Sequence, residues 1–95
     1  MDISKARSYI DAAWSDSILP QLIEYVRIPN KSPLFDPDWD AHGHMEAAVH
    51  LMARWAQAQA PAGSKVEVLR LEGRTPVLMV DVPGDVDDCV LMYGH

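Results

Sequence analysis

Ninety-five residues bound this chain to one small domain with a modest core. A composition of 48% hydrophobic and 23% charged residues is that of an ordinary globular protein and argues against disorder. The net charge of -6 disfavours nucleic acid or an anionic membrane surface as a partner, because neither is attracted to an acidic surface.

Ile3, Ala6, Ile10 and Ala13/Trp14 recur at spacings of three and four, which predicts an amphipathic helix. Its start has no uninterrupted apolar stretch and no cleavage-like site, so it does not read as a secretory signal. Ser15-Asp16-Ser17 supplies N-cap candidates, and Pro20 fits the first turn of a renewed helix, so a kink is expected at residues 15–17. Leu19, Leu22, Ile23 and Val26 continue the apolar face. Pro29 restrains Ile28 to extended geometry and ends the helix there.

Residues 29–40 hold three prolines, an asparagine and several aspartates, the mark of an irregular segment. Leu34, Phe35 and Trp39 are unusual in a solvated linker, so the segment is expected to pack against the domain. A second helix follows over about 43–60, with Asp40 or Gly43 near its cap and a core stripe of Met45, Ala48/Val49, Met52 and Trp55/Ala56. Three strands are expected next, over 65–71, 76–82 and 89–93, with turns at 72–75 and 83–88. Connections this short favour antiparallel neighbours. The second and third strands are apolar on both faces, a pattern of sheets covered on both sides. Two helices and a loop cover one face well and the other poorly, so the expected fold is the opening of a larger α/β domain. No segment approaches the ~20 apolar residues of a transmembrane helix.

Several residue groups invite a chemical reading. Cys89, the single cysteine, reads as a buried small hydrophobe in the third strand; the lack of a disulfide partner fits a reducing cytoplasm. His42 and His44 form an H-x-H pair with Asp40, Glu46 and His50 close in sequence. At 100° per residue His44 and His50 lie well apart around a helix, and the pair reads as polar residues at a helix start. Asp85, Asp87 and Asp88 lack the alternating ligands and distal glutamate of a calcium loop and read as a solvated turn. Ser32 has no local histidine base and reads as a turn residue. Gly94 and His95 end the third apolar strand. Ligand and metal sites gather beyond the carboxyl ends of strands, and a histidine there is well placed to reach a metal.

The order of these segments carries a resemblance. An amphipathic helix, Ile28-Pro29-Asn30-Lys31-Ser32-Pro33, a second helix, a hairpin and Val90-Leu91-Met92-Tyr93-Gly94-His95 together resemble the start of the M20 family of zinc metallopeptidases. Phe35-Asp36-Pro37-Asp38-Trp39 looks like the dipeptidase-type members. The resemblance implies that residues 1–95 are the N-terminal portion of one catalytic domain, incomplete, with the smaller dimerisation or lid domain absent. It implies that His95 is a zinc ligand, that two zinc ions complete the enzyme, and that a metal-activated water hydrolyses an amide bond of dipeptides or small peptides. The remaining ligands and the general base lie outside these residues, so no catalytic residue is expected within them and the chain alone is expected to be inactive. The implied partners are a small peptide substrate and a second copy of the enzyme through the further domain, in the cytoplasm. Two other readings stand beside this one: a stand-alone α+β interaction module whose last strand pairs with a partner's edge, and the start of another α/β hydrolase with His95 structural.

Overall fold

The computed structural model describes residues 1–94, so His95 lies outside the described residues. Helix α1 spans Ile3–Ala13 and is capped by Asp2, whose carboxylate accepts from the Lys5 amide at 3.1 Å. A five-residue π turn, Trp14–Ile18, follows without a break, and α2 continues as Leu19–Arg27. The Leu19 amide reaches back to the Trp14 carbonyl, one residue further than in an α-helix. The discontinuity expected at residues 15–17 is therefore an inserted residue rather than a capped restart, and Pro20 sits in the first turn of α2 as its missing N–H requires. Ile28 turns extended at ψ 119° ahead of Pro29 and closes the helix.

Residues 29–38 are irregular, as their prolines dictate. The Ser32 carbonyl accepts from the Phe35 and Asp36 amides at 2.9 and 3.0 Å, which makes Ser32 a turn residue through its backbone. Asn30 is tied to Met45 by a side-chain contact of 3.5 Å to the sulfur. Trp39 is half-buried, but Leu34 and Phe35 are exposed, which corrects the expectation that all three pack against the domain.

The helix expected over 43–60 is α4, His44–Gln59, and a further short helix outside that expectation, α3, Trp39–His42, precedes it. Gly43 separates them in the left-handed region at φ 73°, a conformation that costs a side-chain-bearing residue roughly 1–2 kcal/mol. Helix α4 carries the two buried residues among those described, Ala48 at 4% and Ala53 at 8% exposure. Met45, Val49, Met52, Trp55 and Ala56 are half-buried around them, so the predicted stripe does face the interior.

Strands β1, Lys65–Leu69, and β2, Val77–Asp81, pair antiparallel with Val66 opposite Val80 and Val68 opposite Leu78. The connecting loop turns at Leu71, whose carbonyl accepts from the Arg74 amide at 3.0 Å, with Gly73 at φ 72° as a type II turn demands at its third position. Helix α4 packs on this hairpin. Residues opposite one another share a face. Val66, Val68 and Leu78 are half-buried; on the other face Leu69, Val77 and Met79 are 45%, 57% and 45% exposed. Val80, on the first face, is 43% exposed and Glu67, on the second, is half-buried, so helix α4 covers the first face only in part.

The expectation of three strands is corrected to two among the described residues. Residues 89–94 hold no strand pairing and their side chains lie in solvent, Cys89 included, so the reading of Cys89 as buried is corrected as well. A strand needs a neighbour for its backbone groups, and the local sequence of 89–93 supplies the side chains of a strand without supplying that neighbour. What stands is a mixed architecture of helices and a two-stranded antiparallel sheet.

Candidate functional site

Two concavities among the described residues bear on function. The first is an apolar groove of about 360 Å³ between α1, the π turn, α4 and β2, bordered by Tyr9, Ile10, Ile18, Trp55 and Val80. At one point of its wall the Trp55 indole N–H donates to the Ser17 hydroxyl at 2.9 Å, pinning the π turn onto α4. A buried indole N–H needs such an acceptor, and the π turn brings Ser17 to it.

The second is a more polar hollow of about 270 Å³ lined by Pro29, Lys31, Phe35, Asp36, His42 and His44. The irregular segment forms one wall and the α3–α4 junction the other. Gly43 makes the chain turn between His42, the last residue of α3, and His44, the first of α4. The two imidazole centroids stand 6.1 Å apart with planes inclined by 42°. The H-x-H pair therefore does not sit on one helix start, where its rings would diverge; it straddles a left-handed residue that gathers them at one hollow.

Asp36 holds His42 from the opposite wall, with its carboxylate 2.8 Å from Nδ1. That hydrogen bond, followed by the charge of Asp36 itself, raises the His42 pKa above the ordinary 6.5; Asp38 adds to the effect, and a small desolvation opposes it. The Asp36 side chain is largely covered while the His42 ring is half-exposed, so the ring is anchored on its inner edge and open on its outer one. No pattern in the sequence signals this pair, because its members lie six positions apart across the junction of an irregular segment with the short helix α3.

Glu46 and His50 belong elsewhere. Glu46 pairs with Arg70 beyond the end of β1 and with His50 one helical turn on, at 3.0 Å. Asp85, Asp87 and Asp88 are exposed in the bend after Gly84, as a solvated turn requires. Among the described residues, no three His, Cys, Asp or Glu side chains converge so as to hold a metal ion. His95, the one zinc ligand that the resemblance implies in this chain, lies outside the described residues. Among the described residues, no helix is long and apolar enough to cross a membrane.

Compared with models of known protein families and with curated proteins, the chain matches none.

Proposed function

We infer that residues 1–95 are the N-terminal part of the catalytic domain of a zinc-dependent, M20-type peptidase acting on dipeptides or small peptides. The observation that carries this reading is the ordered series of segments, from the kinked helix through Ile28-Pro29-Asn30-Lys31-Ser32-Pro33 to the apolar stretch ending in Gly94-His95. The exposed Leu69, Val77 and Met79 at one end of the β1–β2 hairpin lend support, since they have the character of residues that a further layer covers, although Lys65, Glu67 and Asp81 share their face. His95 is assigned as a zinc ligand, and a third strand over 89–93 forms once further chain lies beside it. A homodimer through a further domain and a cytoplasmic location complete the proposal.

The test is hydrolysis of a dipeptide panel by the protein expressed from its complete reading frame. Chelation is expected to abolish turnover and added zinc to restore it. His95→Ala is expected to lower the rate by more than the roughly 10–100-fold typical of losing a mere outer-shell partner. A rate indifferent to chelator and to His95→Ala overturns the assignment. The 95-residue chain alone is expected to leave dipeptides intact.

A second reading, an interaction module, draws on Val90, Leu91 and Met92, which are 84–89% exposed. Such a segment is suited to pairing with a sheet edge. A reading frame that stops after His95 favours this reading over the peptidase.

A further inference from the structure

The hollow at the α3–α4 junction gathers two imidazoles and a carboxylate from residues that the proposed peptidase site does not use. His42 presents Nδ1 to Asp36, so in the neutral ring the proton sits on Nδ1 and the lone pair on Nε2. That is how a carboxylate orients a histidine whose other nitrogen ligates a metal. His44 stands across the Gly43 turn with its ring centroid 6.1 Å away. Metal–nitrogen bonds of about 2.0–2.1 Å to one ion set two imidazole centroids roughly 5–6 Å apart, close to the separation here.

The surroundings bear on which ion enters. The hollow of about 270 Å³ has room for an ion with its water ligands, and Lys31 on its rim is the one cationic side chain among its lining residues. Asp36 and the nearby Asp38 set two carboxylates against that single ammonium. Imidazole nitrogen suits zinc, nickel or copper(II), whereas magnesium and calcium take oxygen ligands.

We propose that His42 and His44, with Asp36 orienting the His42 ring, form a two-imidazole binding site for a borderline transition-metal ion such as zinc or nickel, water filling its other positions. This site is independent of the peptidase reading.

The test titrates tag-free protein with zinc chloride alone, following the four histidine rings by NMR and the affinity by calorimetry. One equivalent is expected to perturb His42 and His44 ahead of His50 and His95, while magnesium chloride perturbs neither. His42→Ala and His44→Ala are each expected to weaken binding at least about tenfold, and Asp36→Asn by about tenfold as loss of an outer-shell partner does. His95→Ala is expected to leave this affinity unchanged, so the site stands or falls apart from the peptidase assignment. Zinc that perturbs His50 or His95 first, or an affinity unaltered by His42→Ala, overturns the proposal. Circular dichroism checks that each variant keeps its helices; should His42→Ala lose them, His42→Gln takes its place, and undiminished affinity there is equally fatal.

Discussion

The Trp55 indole donates a hydrogen bond to the Ser17 hydroxyl at 2.9 Å, joining the π turn to the C-terminal half of α4, 38 positions away in the chain. Ser17→Ala leaves the indole N–H without its acceptor, and Trp55→Phe removes the donor along with packing area. Each is expected to lower unfolding free energy, Ser17→Ala by about 1–2 kcal/mol, and a double-mutant cycle is expected to give a coupling of about 0.5–1.5 kcal/mol. Urea titration followed by circular dichroism measures both. Strictly additive effects would show that the bond contributes nothing.

Gly43 is expected to resist substitution. Gly43→Ala places a Cβ on a residue at φ 73°, where no neighbouring atom lies within 4 Å, so its cost is conformational rather than steric crowding. A loss of about 1–2 kcal/mol is expected, with Gly43→Asn losing less because asparagine tolerates this region. Thermal unfolding ranks the two variants. The opposite order would mean that the turn is not held left-handed in solution.

The His42 ring is expected to titrate above 6.5, since the hydrogen bond to Asp36 and the Asp36 charge both favour its protonated form. The folded state then holds this proton more tightly than the unfolded state does. The resulting stabilisation is complete below the unfolded value near 6.5 and fades as pH rises through the folded midpoint. NMR titration of the ring measures the midpoint, and Asp36→Asn is expected to lower it. A midpoint unmoved by that substitution would assign the shift to another group.

Ala48 and Ala53 are the most deeply buried of the described residues and both lie on α4. Ala48→Leu is expected to cost about 1–3 kcal/mol by overpacking, although leucine is nearly as good a helix former. Ala58→Leu, on the exposed side of the same helix, is expected to change stability by less than about 0.5 kcal/mol. Equal effects at the two positions would contradict the packing of α4 on the hairpin.

Much of this was legible in the sequence because it is local. The stripe of α4, the irregularity near Ser17, the stop at Pro29 and the hairpin all follow from periodicity and from backbone limits of a few residues. Three features were not legible. The pairing of Asp36 with His42 depends on the path of an irregular segment, which no pattern encodes. The closeness of His42 and His44 depends on the φ of Gly43, since the same H-x-H on a continuous helix diverges. The apolar stretch at 89–93 has the composition of a strand, yet strand formation is a property of two segments, and its neighbour is not written in its own residues.

The π turn has a consequence for how the first 27 residues can change. A π turn takes up one residue more than an α-helical turn, so Leu22, Ile23 and Val26 stand to Ile3 and Ile10 in the phase of a continuous α-helix one residue shorter. Deleting one residue between Trp14 and Ile18 would therefore leave an unbroken α-helix whose two apolar stripes stay in step. Adding a further residue, with the turn already widened, would rotate one stripe by about 100° against the other.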